Sequence, residues 1–304
     1  MGSGSALDDD VASGHVKNAV ATGPNPATTS TAPIGIFDSG VGGLSVLRHI
    51  RDCLKNEQII YVADASHAPY GERNETQIEE RALRIGAFLV DLGVKAIVVA
   101  CNTATAAAIK ALRIAYPTLA VIGVEPGLKP AIAVSRSKII GVLATEATLA
   151  SEKFVTLRES LAQDGAVRFL QQPCTGLADR VEQGFFADAQ TRSMLHHYIT
   201  PLLQQGADTL VLGCTHYPFV AAQIAEIADS YVATQFVAAS PITIVDTGEA
   251  IARRLTDLLM QRGLSAPLGQ IGTVHAFSSG SVDSLRSAFV TLLDLKVDVR
   301  AQVF

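Results

Sequence analysis

The pattern that decides the fold occurs twice, as LGVKAIVVACNTATAAAIKAL at Leu92–Leu112 and as QGADTLVLGCTHYPFVAAQIA at Gln205–Ala225. Each copy reads as a helix end, a glycine, an apolar strand, a cysteine, a turn that contains threonine and an alanine-rich helix. A constant offset aligns the two glycines, the two strands and the cysteines Cys101 and Cys214. A repeat of this length predicts two similar halves, each with a cysteine at the same structural point.

The same alternation of strands and helices continues on both sides of the two copies. Strands that alternate with helices at this spacing form parallel sheets with helices on both faces. We therefore expect an α/β fold of two pseudo-symmetric domains with mostly parallel sheets. Ligands bind beyond the carboxyl ends of such strands, where Cys214 is expected to lie, and if the two halves face each other the two thiols would flank one cleft. The predicted strands are Ile34–Phe37, Ile59–Val62, Ala96–Ala100, Val121–Val124, Ile139–Leu143, Val167–Leu170, Thr209–Gly213, Ile242–Val245 and Thr273–Phe277. The predicted helices include Glu75–Asp91, Thr103–Arg113, Ser151–Gln163, Asp188–Gln204, Phe219–Asp229 and Gly248–Gln261.

Composition and charge limit the classes of partner. The chain has 304 residues, 48% of them hydrophobic, which is enough for one large domain or two of ordinary size. The net charge is −5 and the lysines and arginines are scattered, so no basic stripe predicts a nucleic-acid partner. No uncharged window of about 18 apolar residues occurs, so we predict no membrane-spanning helix.

Residues 1–32 are small, polar and poor in large apolar side chains, which predicts a flexible tail. The segment lacks the basic start and the apolar centre of a secretory signal. Without an export signal, we expect a cytoplasmic protein whose four cysteines are reduced. Two of them, Cys53 and Cys174, have no partner motif and are expected to be structural.

A cysteine between a strand and a helix has a distinct environment. The unpaired N–H groups of the helix N-terminus stabilise negative charge, which lowers the pKa of the thiol and favours binding of a carboxylate or phosphate. Asn102, Thr103 and Thr215 add polar groups beside the two sulfur atoms. The alternative is that Cys101 and Cys214 are small buried hydrophobic residues, but two at matched positions favour a functional pair.

Two further residues with useful chemistry follow predicted strands. Asp38, in FDSGVGG, could hydrogen-bond a thiol or an ammonium group, and a helix N-cap is the alternative. The glycines that follow it do not have the spacing of a dinucleotide fingerprint. His216 could act as a general acid or base or polarise Cys214, and a hydrogen-bonded turn histidine is the alternative. For Glu182, in LADRVEQG, we expect a solvated helix carboxylate rather than a partner of His216.

A zinc site is the competing interpretation of this set. Cys101, Cys214, Asp38 and His216 could in principle surround a metal ion. The Cys-x-His spacing is a poor match to the usual ligand pairs, so we predict no metal.

Four motifs carry a resemblance to a known family. IFDSGVGGLSVLR, DASHAPYGE, VVACNTATA and LVLGCTHYP occur in this order and resemble the glutamate racemases of the cofactor-independent aspartate/glutamate racemase family. The resemblance covers the chain from Pro33 to the C-terminal region. It implies an enzyme that interconverts L-glutamate and D-glutamate for peptidoglycan synthesis, without a cofactor.

The resemblance also implies roles and boundaries. Cys101 and Cys214 would be the two acid/base residues, and Asp38 and His216 would each assist one thiol. The substrate-binding residues would be Asp38, Ser39, Tyr70, Gly71, Asn102, Thr103, Thr215 and His216. The first domain would comprise residues 33–127 and 242–304 with Cys101, and the second would comprise residues 128–241 with Cys214.

Several alternatives stay open at this stage. The chain could be an aspartate racemase, a thiol hydrolase or transferase with Cys214 as nucleophile, or a non-catalytic module that binds dicarboxylates. The sequence leaves the oligomeric state open, with a homodimer among the alternatives. A cell-wall precursor is a candidate activator, which residues 1–32 neither support nor oppose.

Overall fold

The computed structural model describes residues 29–162, 165–234 and 241–304, and within these ranges ten strands alternate with eleven helices. The strands are β1 (Ile34–Asp38), β2 (Ile59–Ala63), β3 (Ala96–Val99), β4 (Ala120–Gly123), β5 (Ile139–Ala144), β6 (Arg168–Pro173), β7 (Thr209–Leu212), β8 (Thr243–Val245), β9 (Val274–Ser278) and β10 (Asp298–Ala301). The helices are α1 (Leu44–Cys53), α2 (Glu75–Asp91), α3 (Asn102–Ala115), α4 (Leu128–Val134), α5 (Glu146–Ala150), α6 (Glu152–Leu161), α7 (Leu177–Glu182), α8 (Ala189–Gln204), α9 (Ala221–Ala233), α10 (Gly248–Gln261) and α11 (Val282–Leu293).

Two parallel sheets organise the molecule. The first has the order β10-β9-β2-β1-β3-β4 and the second the order β6-β5-β7-β8, with every neighbouring pair parallel. We call each sheet with its helices the first half and the second half. The predicted α/β class with parallel sheets is confirmed. Because the strands of a sheet are parallel, their carboxyl ends meet at one edge, where side chains from several strands can converge.

Both faces of the first sheet are covered, which explains why its central strands are continuous apolar runs. In β3, Ala96 and Val98 face one apolar core, whereas Ile97 and Val99 face the other. A fully buried Val or Ile side chain contributes about 1.5–3 kcal/mol to stability, so these runs hold the strand ends firmly.

The repeated sequence pattern forms the same unit in each half. The first copy runs from the residue after α2 through β3 into α3, and the second from the residue after α8 through β7 and a short 3₁₀ turn into α9. Gly93 and Gly206, which follow the first helix of each unit, have φ angles of 74° and 89°. This left-handed backbone strongly favours glycine at the end of a helix, so the matched glycines turn the chain into the strand that leads to each cysteine.

The second boundary of the predicted domains differs from the observed strand pairing. A return to the first domain at residue 242 would place β8 in that domain, but Val245 of β8 pairs with Val211 of β7 in the second sheet. The chain returns to the first half only after Val245, where α10 packs against α1. A strand was predicted at this position, but the local sequence carries no signal for the pairing of β8 with β7.

The N-terminal tail predicted at residues 1–32 lies largely outside the described residues, which begin at residue 29. Its last residues contact the fold, because the Ser30 carbonyl accepts a hydrogen bond from Lys95 Nζ (2.6 Å). Lys95 is fully buried and forms an ion pair with Glu57. Among the described helices, none combines the length and apolar character that a membrane span requires.

Candidate active site

Cys101 lies where β3 ends and α3 begins. It is the N-cap residue of α3, and its Sγ accepts a hydrogen bond from the Ala104 N–H (3.4 Å). Asp38, the last residue of the neighbouring strand β1, is fully buried and accepts a hydrogen bond from the Gly43 N–H (2.5 Å). Ser39 Oγ lies 3.5 Å from Asp38 Oδ1 and 4.0 Å from Cys101 Sγ. The ends of two adjacent strands thus bring a carboxyl group to the first thiol.

Burial controls the protonation of this pair. It raises the pKa of Asp38, against the opposing effects of His216 and the Gly43 N–H. It also raises the pKa of Cys101 well above its usual value, the Asp38 charge raises it further, and the Ala104 N–H lowers it only in part. The helix N-terminus does lower the Cys101 pKa, as expected, through the Ala104 N–H, but the loss of hydration outweighs this one N–H and the net shift is upward. The net effect favours the neutral thiol form of Cys101.

Cys214 begins a hydrogen-bonded chain that crosses from the second half to the first. Its Sγ lies 3.6 Å from His216 Nδ1, and His216 Nε2 lies 2.9 Å from Glu182 Oε2. The same Glu182 oxygen accepts a hydrogen bond from the Val41 N–H (3.0 Å) in the loop between β1 and α1. We call the side chains of Cys214, His216 and Glu182 the relay.

The relay favours a protonated histidine. Burial alone would lower the pKa of His216, but hydrogen bonds to Cys214 and Glu182 raise it well above its usual value. Burial would raise the pKa of Glu182, but hydrogen bonds from His216 and Val41 lower it. An imidazolium between a carboxylate and a sulfur atom stabilises negative charge on Cys214. The two cysteines therefore have different partners: a buried carboxyl group beside Cys101 and a cation beside Cys214.

Glycines allow the loop between β1 and α1 to pack against the relay. A Cβ atom at Gly40 would lie 2.3 Å from Glu182 Oε1, and one at Gly42 would lie 2.4 Å from His216 Nδ1. Contacts this short do not occur between real side chains, so a larger residue at either position would displace the relay. The close approach of the two halves thus depends on the absence of side chains in this loop.

Both thiols line a single cavity of about 110 Å³ between the halves. The size suits an amino acid better than a nucleotide or a drug-sized molecule. Among the described residues that line it, none is a lysine or an arginine. The cavity is bounded by Ser39, Ala68, Pro69, Tyr70, Gly71, Glu72, Cys101, Asn102, Thr103, Thr145, Glu146, Cys174, Thr175, Gly176, Ala178, Asp179, Glu182, Cys214, Thr215 and His216.

Neutral polar groups lie beside Cys101. Asn102 Nδ2 is buried and has no hydrogen-bond partner among the described residues. Thr103 Oγ1 lies 3.2 Å from Thr145 Oγ1 across the two halves, and Thr145 Oγ1 lies 2.9 Å from Thr148 Oγ1. A buried amide donor without a partner is unfavourable, and a ligand oxygen such as that of a carboxylate would satisfy it.

A comparison with models of protein families matches residues 34–255 to the family described as Asp/Glu/Hydantoin racemase. The chain belongs to this racemase family. Among its relatives is the glutamate racemase of Stutzerimonas stutzeri (strain A1501), which is 49% identical over 235 residues, 77% of this chain and 84% of that protein. The resemblance seen in the four motifs is confirmed, and the protein is an amino-acid racemase, an enzyme of the isomerase class.

Solved structures of other glutamate racemases share the fold of this racemase. The isoform RacE1 of Bacillus anthracis has a TM-score of 0.79 at 31% identity, over 90% of this chain and 98% of that chain. The Escherichia coli glutamate racemase, solved with L-glutamate and the activator UDP-MurNAc-Ala, has a TM-score of 0.75 at 28% identity, over 90% of this chain and 98% of that chain.

The racemase brings the predicted site residues together. All of them except Asp38 line the cavity: Ser39, Tyr70, Gly71, Cys101, Asn102, Thr103, Cys214, Thr215 and His216. Asp38 lies behind the wall, fully buried, where its charge reaches Cys101. Tyr70 is part of the wall, but its hydroxyl donates a hydrogen bond to Asp64 (2.7 Å). Within the described residues, no group of three or more metal-ligating side chains is placed to hold an ion.

The prediction for Glu182 in this racemase is wrong. It is not a solvated helix carboxylate, because its Oε2 lies against His216 and its side chain is only 25% exposed. Glu182 is the last residue of α7, whose six residues are too few for a helical period to indicate a buried face.

Other cavity residues were also missed, among them Thr145, Glu146 and Cys174 of the second half. Thr145 directly follows β5, Cys174 directly follows β6, and Glu146 begins α5. Cys174, expected to be structural, is buried in the wall beside the site. Ligands bind beyond the carboxyl ends of parallel strands, and this rule would have indicated these residues if it had been applied to β5 and β6 as well as to β7.

Proposed function

We propose that this racemase interconverts L-glutamate and D-glutamate by a two-base mechanism, with Cys101 and Cys214 as the acid/base residues. The observation that supports it is the pair of cysteines, at matched strand ends, that line one small cavity. Inversion at Cα requires a proton to leave one face and another to arrive at the opposite face, which two groups on either side accomplish without moving. The D-glutamate formed would serve peptidoglycan synthesis.

The proposed step conserves protons and electrons. One cysteine reacts as a thiolate and takes the Cα proton, and the electron pair of the broken C–H bond stays on Cα and spreads into the α-carboxylate. The opposite cysteine then gives its thiol proton to the other face of Cα and becomes the thiolate. The two cysteines exchange roles for the reverse reaction, and nothing is oxidised or reduced.

The partners of the two cysteines suit this exchange. His216, held by Glu182, would place a positive charge beside Cys214 when protonated, while burial favours the thiol form of Cys101. The form that follows from these charges therefore has Cys214 as the base and Cys101 as the acid. Asp38, whose pKa burial raises, is the group placed to exchange a proton with Cys101.

Neutral donors are proposed to bind the carboxylates of the substrate. With no lysine or arginine among the described lining residues, hydrogen bonds must stabilise the developing negative charge, and they are strongest in a site that excludes water. The unpartnered Asn102 amide is the clearest candidate. The other proposed substrate-binding residues are Ser39, Tyr70, Gly71, Thr103, Thr215 and His216, whereas Asp38, behind the wall, is proposed to act only through Cys101.

The setting of the enzyme is also a proposal. The activator in the Escherichia coli complex supports a cell-wall precursor as an activator of this chain. A cytoplasmic location is proposed from the sequence arguments given above, and a homodimer is one of the states that the sequence leaves open. The two parallel sheets support the proposed division into two domains.

The decisive experiment follows the optical signal of D-glutamate and of L-glutamate by circular dichroism in buffered D₂O, with no added cofactor. We expect the signal to decay to zero from both enantiomers while deuterium enters at Cα. Cys101→Ala and Cys214→Ala should each reduce the rate by about 10³-fold, a typical contribution of general acid/base catalysis. Cys53→Ala is the matched control, because Cys53 is exposed and lies outside the cavity.

Each alternative function gives a different result. Wild-type racemisation in either single variant of the paired cysteines would overturn the two-base assignment. A thiol hydrolase would show a burst with an acyl donor and would need Cys214 alone. A dicarboxylate-binding module would bind glutamate without turnover, an aspartate racemase would prefer aspartate, and stimulation by pyridoxal phosphate would contradict cofactor independence.

A further inference from the structure

Asp64 is a fully buried carboxylate at the end of β2 that the proposed mechanism does not use. It accepts hydrogen bonds from the Tyr70 hydroxyl (2.7 Å) and the Ser279 hydroxyl (2.7 Å), and His67 Nδ1 lies 3.2 Å away. Arg81 contacts it with two nitrogens, Nε at 2.9 Å and Nη2 at 2.7 Å. Burial would raise the pKa of Asp64, but the hydrogen bonds of Arg81, Tyr70 and Ser279 lower it, so it stays charged.

The segment that Asp64 anchors forms one wall of the active-site cavity. Residues 68–72 all line the cavity, and the 3₁₀ turn Tyr70–Glu72 packs against α5 of the second half. Tyr70 is 1% exposed, and its hydroxyl is held by Asp64. The position of this wall is therefore set from behind by Asp64.

Arg81 is fixed on three sides, so it presents a rigid fork. Besides its two contacts with Asp64, its Nη1 donates to the Phe304 carbonyl (2.6 Å). The Phe304 ring packs edge-on against Phe88, which lies about two helical turns after Arg81 on α2, with ring centroids 5.2 Å apart. A planar guanidinium held in this way matches both oxygens of a carboxylate, which a lysine ammonium cannot do.

We propose that Arg81 and Asp64 are positioning residues of the racemase, which fix the cavity wall formed by Tyr70 and Gly71 so that it fits the substrate. The inference rests on the proposed glutamate racemisation for its kinetic readout. Neither residue lines the cavity, so any effect they have on the reaction passes through the wall. Binding of a small substrate in a productive geometry is sensitive to small displacements of the wall, so the anchor behind the wall contributes to the affinity.

The first test compares Arg81→Lys with Arg84→Lys. Both arginines lie on α2, but Arg84 is exposed. Arg81→Lys keeps the positive charge that Asp64 needs and loses the fork. We expect kcat/KM for glutamate to fall about tenfold, mainly through a higher KM, because one charge-assisted hydrogen bond is lost. The Arg84→Lys enzyme should match the wild type.

The second test separates positioning from general stability. Tyr70→Phe removes the hydroxyl that Asp64 holds, and the double variant with Arg81→Lys should be little worse than the worse single variant, because both changes release the same wall. Hydrogen exchange of the amides in residues 65–72 should accelerate in Arg81→Lys, while α9 stays unchanged. A variant that is only less stable would exchange faster in both regions and keep its KM.

The outcomes distinguish this inference from the proposed function. An active wild type with unchanged KM in Arg81→Lys, or additive effects in the double variant, would overturn the positioning role. An inactive wild type would overturn the racemase reaction proposed here, and the exchange of residues 65–72 would still test the wall. Unchanged exchange there in Arg81→Lys would contradict the inference in either case.

Discussion

Glu182 raises the pKa of His216, whose other ring nitrogen lies 3.6 Å from Cys214 Sγ. Glu182→Gln keeps the shape of the side chain and removes the negative charge that raises the His216 pKa. The pH above which His216 loses its proton should therefore fall, and the alkaline limb of the kcat/KM profile should move to lower pH with it. We also expect kcat/KM on the plateau to fall about tenfold.

A full pH–rate profile with D-glutamate measures this shift. Glu226→Gln is the matched control, because Glu226 lies on α9 outside the cavity in an exposed ion pair with Arg192. If the alkaline limb of the Glu182→Gln enzyme stayed in place, His216 would not be the group that titrates there.

Single residues of the site differ in how far the sequence could predict them. Cys101, Cys214, Asp38 and His216 were predictable because each lies within a few residues of a strand end that the sequence marks clearly. Glu182 was not, because it reaches His216 from 34 positions away in the chain. The direction of a side chain and its burial against a distant residue leave no local signal.

Helix α2 shows how one element is stabilised beside the site. Asn74 and Gln77 form a capping box at its start, in which each side chain bonds the backbone N–H of the other. Asn74→Ala removes one of these bonds at an exposed position and should lower the free energy of unfolding by about 1 kcal/mol. Urea denaturation followed by circular dichroism would measure the loss.

Asn74→Asp is the control for the cap, because aspartate also accepts the hydrogen bond of the Gln77 N–H and favours a helix start. It should retain most of the stability of the wild type. A loss as large as that of the alanine variant would show that the cap is not the cause.

Helices and strands were predictable where the apolar residues recur with a clear helical or strand period. The bounds predicted for α2 and α10 agree with the structure, because each has an amphipathic pattern over several turns. β10 was missed because it is an edge strand in which only Val299 is buried, so no alternation indicates a strand. The sheet to which β8 belongs depends on pairing with β7, which is a long-range property.

The two halves of the whole molecule are joined by hydrogen bonds around the cavity. Ser45 Oγ is buried and lies 2.8 Å from the Thr215 carbonyl of the other half. Ser45→Ala should weaken this closed arrangement, so kcat/KM should fall several-fold and glutamate should stabilise the variant less. In the wild type, ligand at about 100 times its Kd adds about 2.7 kcal/mol of stability.

Thermal unfolding with and without D-glutamate measures this effect at fixed ligand concentration. Ser160→Ala is the matched control, because the Ser160 hydroxyl bonds the Leu157 carbonyl (2.7 Å) within one exposed helix. Equal ligand-induced shifts in the Ser45 and Ser160 variants would contradict a role for the Ser45 bond in holding the halves together.

At the scale of the molecule, the internal repeat predicted two similar halves with a cysteine at the same point of each. The structure has both of these thiols, Cys101 and Cys214, in one cavity. The tight fit between the halves was not predictable. It depends on the atoms of Gly40 and Gly42 meeting Glu182 and His216, and a glycine-rich loop alone does not identify what approaches it.

The unequal neighbours of the two thiols, a carboxyl group behind Cys101 and an imidazolium beside Cys214, have a thermodynamic consequence. Mirror-image amino acids have the same free energy in water, so the Haldane relationship requires identical catalytic efficiency in both directions, whatever the enzyme looks like inside. The unequal surroundings of the two thiols can therefore change kcat and KM for each enantiomer, but they cannot make kcat/KM differ between the enantiomers. The enantiomer with the lower KM must have a kcat that is lower in the same proportion.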